Sequence, residues 1–114
     1  CVQNPKGYGR MIVDDRGIVL RIVEEADASE EEKKIQLINS GIYCVEKEFL
    51  VHSLAKIKSD NAQNELYLTD IVEVASMENK EVGLFEGIES DEVVGVNTLD
   101  DLAKVQALLK VIQP

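Results

Sequence analysis

Two β-branched runs, RMIV at 10–13 and IVLRIVE at 18–24, stand on either side of Asp14-Asp15-Arg16-Gly17. This arrangement constrains the chain more than any other feature. Runs rich in Val and Ile favour extended backbone, and a short polar stretch ending in glycine favours a tight reversal. Arg10 to Glu25 therefore reads as a β-hairpin. Directly before it lies Asn4-Pro5-Lys6-Gly7-Tyr8-Gly9-Arg10, with two glycines around one tyrosine. From spacing alone this is either a tight turn into the hairpin or a place where a ligand meets backbone, because Gly9 has no Cβ.

A helix should follow the hairpin. Ser29 and Glu32 fit the S-x-x-E capping box, acidic residues fill the first turn, and Glu30 and Lys34 are spaced for a surface ion pair. Leu37 to Val45 is apolar enough for a buried strand, although Asn39-Ser40-Gly41 is unusual inside one. Two helices are expected next. The first runs near Lys47 to Ile57, with Phe49, Leu50 and Leu54 toward the core. The second runs near Glu65 to Met77, with Tyr67, Ile71, Val74 and Ala75 on one face. The polar loop 59–64 separates them. Glu81 to Gly87 and Val93 to Asn97 read as strands. A last helix, Leu99 to Ile112, starts at the N-cap Thr98 with Asp101 three residues on. Its apolar second half implies a further surface to cover it. The order β-β-α-β-α-α-β-β-α is that of an α/β layer with partly antiparallel pairing, and it reads as part of a sheet.

Charge narrows the function classes. The net charge of −10 opposes a nucleic-acid backbone, whose binding needs Lys and Arg to displace counterions. A phosphorylated ligand would need a metal ion, backbone N–H groups or residues outside this chain. No run reaches the roughly 20 apolar residues of a membrane span. Cys1 and Cys44 imply no disulfide framework and point to a reducing compartment. One histidine and no close Cys pair argue against zinc.

Several single residues are candidates for chemistry. Glu24 ends a strand, where a carboxylate is either solvated or accepts hydrogen bonds from hydroxyl groups. Asn39 lies within an apolar run, and a buried amide there needs partners from protein or ligand. Asn97 follows an expected strand and precedes a helix N-cap, a place suited to phosphate; its oxygen also suits Mg²⁺. An ordinary strand–helix turn accounts for it equally. His52 falls on a polar helix face and receives no role. No Ser-His-Asp, Cys-His or P-loop pattern occurs.

Taken in order, NPKGYGRMI, IVEEADAS, INSGIY, DNAQNELYLTDIV and VVGVNTLDDLA resemble successive motifs of the sugar-1-phosphate nucleotidyltransferases. They are most similar to the uridylyltransferase branch that makes UDP-N-acetylglucosamine. The resemblance implies an α/β fold: the C-terminal, sugar-binding half of a Rossmann-like nucleotidyltransferase domain over 1–114, with a mixed sheet and flanking helices. The family's leading strand, its Gly-rich loop L-A-A-G-x-G-T-R-M, its catalytic lysine and an upstream metal-binding aspartate have no counterpart in these residues. Together with a first residue that is Cys1, this is the pattern of an interior cut.

The resemblance also implies roles. Gly9, Glu24 and Asn39 correspond to residues that meet the N-acetyl group and hydroxyls of the sugar, and Asn97 to a ligand of Mg²⁺ and phosphate. No catalytic residue falls in this half. The implied reaction transfers UMP from UTP to N-acetylglucosamine-1-phosphate with release of pyrophosphate, in the cytoplasm, for peptidoglycan precursors and cell wall. Implied partners are the N-terminal half of the domain, a downstream acetyltransferase domain and further copies in an oligomer; nucleic acid and membrane are not among them. By itself this half should be inactive. The alternatives are a non-catalytic sugar-nucleotide-binding or interaction module and a pyrophosphorylase for another sugar such as glucose-1-phosphate. Two departures from the pattern stand out. Glu25-Ala26 replaces a lysine common in relatives, and Asn64 replaces the glycine of NAQGE.

Overall fold

A β-bulge shapes the hairpin on which the rest of the molecule is laid. In the computed structural model, which describes residues 1–86, 94–96 and 98–112 with side chains to 109, strand β1 (Arg10–Val13) pairs antiparallel with β2 (Val19–Val23). Arg10, Met11 and Ile12 oppose Val23, Ile22 and Arg21, but Val13 opposes Val19. β2 therefore carries one extra residue, Leu20. The insertion lets Val19 and Ile22, three positions apart, both reach the core while Leu20 and Arg21 stay exposed. The expected turn is built by Asp14, whose Oδ1 accepts the N–H groups of Arg16 and Ile18, both at 2.9 Å. Gly17 completes it at φ +80°.

Helix α2 (Ile71–Met77) packs on β2, and α1 (Lys47–Leu54) packs on α2. The core is Val19, Ile22, Ile71 and Val72, with Met11, Tyr43, Leu50, Ile57, Val82 and Leu84 around it. Glu78, just past α2, ties back to α1 through Lys56 Nζ at 2.6 Å and His52 Nε2 at 2.8 Å. Helix α3 (Leu99–Ile112) has the expected bounds. Thr98 and Asp101 cap it reciprocally: Thr98 N–H donates to Asp101 Oδ2 at 3.0 Å, and Asp101 N–H donates to Thr98 Oγ1 at 3.1 Å.

Several expectations change. The Ser29–Glu32 capping box forms, with Ser29 N–H to Glu32 Oε2 at 2.8 Å and Glu32 N–H to Ser29 Oγ at 3.2 Å, but it opens only a 3-10 turn, Glu32–Lys34. That tighter winding brings i,i+3 neighbours together, so the ion pairs are Lys33–Glu30 and Lys34–Glu31, not Glu30–Lys34. Residues 37–45 do not make a strand. Asn39 Oδ1 accepts Gly41 N–H at 3.0 Å and Gly41 takes φ +79°, so the run turns after a single bridge from Ile38 to Arg10.

The first long helix stops at Leu54, which is 43% exposed and faces away from the core; Ser53 is the buried residue there. The second starts late, with a 3-10 turn at Leu68–Asp70 leading into α2. Upstream, Asn61 Oδ1 accepts the N–H groups of Gln63 and Glu65, both at 3.2 Å, and this local bonding competes with helix. Residues 81–86 are irregular; Val19 N–H to Val82 O at 3.4 Å ties them to β2 without forming a ladder. Of the expected strand 93–97, residues 94–96 are irregular, and Val93 and Asn97 lie outside the described residues. Among the described residues the sheet is thus a two-stranded antiparallel one with helices beside it.

Candidate functional site

The site grows from the way Gly9 enters β1. Gly7 takes φ +85°, and Tyr8 N–H closes a turn onto Pro5 O at 3.2 Å. Gly9 is then buried against the end of β2. A Cβ placed on it would stand 3.0 Å from Ile22 Cγ2 and 3.3 and 3.4 Å from the two Glu24 carboxylate oxygens. Only a residue without a side chain lets that carboxylate lie so close to the backbone.

Glu24 is the hub. Its backbone carbonyl accepts N–H groups from Asp27 and Ala28, both at 3.0 Å, which turns the chain directly after β2. Its Oε1 accepts the hydroxyl of buried Thr69 at 3.0 Å. Asn39 approaches from the other side, its N–H donating to Gly9 O at 2.8 Å. The Tyr43 hydroxyl lies within electrostatic reach of both the Asn39 amide and Glu24. It is buried and has no hydrogen-bond partner of normal geometry. Burial raises its pKa; the Asn39 amide offsets part of that rise, and the Glu24 charge adds to it.

Glu24 opens onto a cleft of about 470 Å³, whose wall includes Asp27, Asn61, Tyr67, Asp70 and Lys56. Neither Gly9 nor Asn39 lines that cleft; Gly9 adjoins it through Glu24, and Asn39 is bonded to Gly9. The cleft is net negative, with Glu24, Asp27, Asp60, Asp70 and Glu73 set against Arg21, Lys56 and Lys58. Burial raises the pKa of Asp70, and the charges of Glu73, Glu24 and Asp27 raise it further. Asp27 Oδ1 accepts Ala62 N–H at 2.8 Å and so docks the DNAQN loop on the cleft rim. In that loop Asn64 takes φ +53°. This left-handed conformation accounts for a glycine at this place in the resembling motif, and asparagine is among the residues that tolerate it.

Behind the site lies an ion pair. Arg10 is 1% exposed and its Nη2 sits 2.7 Å from Glu25 Oε2. Its other bonds go to the carbonyls of Tyr8 and Lys33. Glu25 Oε2 also accepts Gly7 N–H at 3.2 Å. Burial works to raise the Glu25 pKa, but Arg10 and Gly7 outweigh it and hold the carboxyl below its usual range. Glu25 is therefore a brace for the Gly7–Gly9 turn.

Of the four residues singled out in the sequence, three meet at Gly9, which adjoins the Glu24 carboxylate and accepts the Asn39 N–H. Asn97 lies outside the described residues. Among the described residues no three His, Cys, Asp or Glu side chains stand together as metal ligands. The cleft carboxylates are hard donors of the type Mg²⁺ takes, but they do not form a complete ligand set. Sequence reasoning missed Thr69, Tyr43 and Asp27. Thr69 sits inside the quoted YLTD motif, and the expected helix there hid its inward direction.

Comparison with known proteins places these features in a wider set. A family model described as nucleotidyl transferase matches residues 1–113. The bifunctional protein GlmU of Geotalea daltonii is 48% identical over 111 residues, covering 97% of this chain and 24% of that protein. The GlmU of Caldicellulosiruptor saccharolyticus is 47% identical over 108 residues, covering 95% of this chain and 23% of its own length. That of Enterococcus faecalis is 50% identical over 95 residues, covering 83% and 21%. The chain spans about a quarter of the length of the curated relatives it matches.

Proposed function

This chain belongs to the nucleotidyl transferase family, and on that premise we propose that residues 1–114 are the sugar-binding half of a domain making UDP-N-acetylglucosamine. The reading rests on the family match, on relatives named GlmU, and on one geometric observation: the Glu24 carboxylate lies 3.3–3.4 Å from where a Gly9 side chain would begin. In the proposed reaction a phosphate oxygen of N-acetylglucosamine-1-phosphate attacks the α-phosphorus of UTP. A new P–O bond forms, the bond from the α-phosphorus to the bridging oxygen breaks, and pyrophosphate leaves.

The residues of this chain bind and orient the acceptor. Glu24 accepts hydrogen bonds from sugar hydroxyls, and the Thr69 hydroxyl fixes the carboxylate orientation. Asn39 meets the N-acetyl group. Gly9, having no side chain, lets the Glu24 carboxylate stand against the backbone in the position from which it meets the sugar. Such positioning is a main source of rate in a displacement between two anions. The negative cleft suits an acceptor rich in hydroxyl donors and cannot hold a triphosphate unaided, so the nucleotide falls to residues beyond these 114. A divalent ion, proposed as Mg²⁺, would neutralise phosphate charge when bound. Asn97 is its proposed ligand from this chain.

The finer architecture belongs to the same proposal. The two-stranded sheet is one edge of a larger mixed, Rossmann-like sheet. Ile42, Phe85, Leu99 and Met77, each more than 70% exposed, are surface that other parts of the complete domain or an oligomer cover. Among the described residues no helix is long and apolar enough to cross a membrane, in keeping with a cytoplasmic step towards cell-wall precursors. A downstream acetyltransferase domain is also proposed. The test is pyrophosphate release by the complete protein with UTP, N-acetylglucosamine-1-phosphate and Mg²⁺. Release that depends on all three supports the reading. Release with glucose-1-phosphate alone, or none at all, contradicts it.

A further inference from the structure

Tyr8 is held at both ends. Its carbonyl accepts a hydrogen bond from the guanidinium of Arg10, itself buried and paired with Glu25 at 2.7 Å. Its hydroxyl accepts Gly95 N–H at 2.9 Å, a bond between residues 87 positions apart. The Gly95 backbone lies against the ring: a Cβ there would stand 3.3 Å from Tyr8 Cε1 and 3.5 Å from the hydroxyl oxygen. Tyr8 is partly buried and does not line the acidic cleft.

These contacts have a directional consequence. At its carbonyl end Tyr8 is fixed to the hairpin, one residue before Gly9. At its hydroxyl end it fixes Gly95, two residues before Asn97 and three before the Thr98 cap of α3. A phenol is a rigid spacer with few rotatable bonds, so it sets a distance and not merely a contact. We propose that Tyr8 is a positioning residue: it sets where the segment entering α3 stands relative to the sugar wall of Gly9, Glu24 and Asn39. Resting on the function proposed above, this makes Tyr8 a determinant of how the phosphate end of the acceptor is presented, without touching the sugar. Removing its hydroxyl leaves the Arg10 bond to its carbonyl in place, so the sugar wall keeps its form. It frees the Gly95 N–H, and the segment before Asn97 loses its anchor.

The test uses the complete protein that carries this chain, as wild type, Tyr8→Phe and Gly95→Ala. Deuterium uptake is followed in peptides spanning 94–96 and 19–23, beside turnover and KM for N-acetylglucosamine-1-phosphate at saturating UTP. In Tyr8→Phe, uptake at 94–96 should quicken several-fold while 19–23 is unchanged. The kcat should fall about fivefold, the scale of one neutral hydrogen bond, with KM held within about twofold. Gly95→Ala, which crowds the ring without removing the hydroxyl, should lower kcat in the same direction. Unchanged uptake at 94–96 in Tyr8→Phe would overturn the proposal, and so would a rise in KM at constant kcat. If even the wild type releases no pyrophosphate, the proposed reaction fails, and the uptake comparison alone then decides whether Tyr8 anchors Gly95. A variant with uptake raised in 19–23 as well has lost its fold, and Gly95→Ala then decides in its place.

Discussion

The hydroxyl of Thr69 donates to Glu24 Oε1 at 3.0 Å, joining residues 45 positions apart. Thr69 is buried, and the backbone around it winds as a 3-10 turn. The bond therefore ties the start of α2 to the end of β2 at the point where the acceptor is proposed to bind. Replacing Thr69 with Val keeps the shape and removes the donor. The Glu24 carboxylate then loses a charge-assisted partner, typically about 1.5–3 kcal/mol. Thr69→Val should raise KM for N-acetylglucosamine-1-phosphate roughly tenfold in steady-state assays, with KM for UTP unchanged.

Gly9 tests the same wall from the other side. An added methyl group would meet Ile22 Cγ2 at 3.0 Å and the Glu24 oxygens at 3.3 and 3.4 Å. Ile22 is a core residue and yields little. Gly9→Ala should cost about 1–3 kcal/mol through overpacking and turn the Glu24 carboxylate away from its place. The expected result is a lower melting temperature together with acceptor binding weakened more than UTP binding, read by titration calorimetry.

Asp70 makes a prediction about pH. Its pKa is raised, first by burial and then by Glu73, Glu24 and Asp27. A carboxyl whose folded pKa is raised binds its proton more tightly when folded. Its ionisation therefore removes stability as pH rises above the ordinary value of 3.8. Asp70→Asn should melt higher than wild type near neutral pH, and the difference should vanish as pH falls below that value. Thermal scans across pH 3 to 7, on the order of the range where carboxylates titrate, check this.

Glu25 carries the opposite sign. Its folded pKa is lowered, because Arg10 and the Gly7 N–H outweigh the effect of burial. The stability it contributes is present above its ordinary value of 4.5 and is lost as pH falls through the folded pKa. Glu25→Gln should therefore melt lower than wild type at neutral pH, with the gap closing in acid. Arg10→Ala should lower the melting temperature further, since it strips the Tyr8 and Lys33 carbonyls of a donor as well.

The hairpin, the α3 helix and its Thr98–Asp101 cap were legible in the sequence because each is decided locally, by β-branching, the Asp14–Gly17 turn or a capping pair. The wall of the site was legible only in part. Glu24 stood out as a carboxylate at the end of a strand, Asn39 as an amide in an apolar run, and Gly9 as a glycine before a strand. Their juxtaposition is non-local and came from motif order, not from spacing. What misled was the apolar content of 37–45 and 81–86: it signals burial, but the Asn39–Gly41 turn and the lack of a paired ladder decide against strands there. Thr69 and Tyr43 gave no signal, since a hydroxyl inside an apolar stretch shows neither its direction nor its partner.

The central claim is that Gly9, Glu24 and Asn39 form the wall that recognises an N-acetylated sugar phosphate. Titration calorimetry on the complete protein, comparing N-acetylglucosamine-1-phosphate with glucose-1-phosphate, tests it most directly, for wild type and Asn39→Ala. The account predicts a clear preference for the N-acetylated sugar in wild type. It also predicts that Asn39→Ala removes about tenfold or more of that preference, as loss of a buried hydrogen bond should. Equal binding of the two sugars by wild type, or a preference left intact in Asn39→Ala, would contradict it.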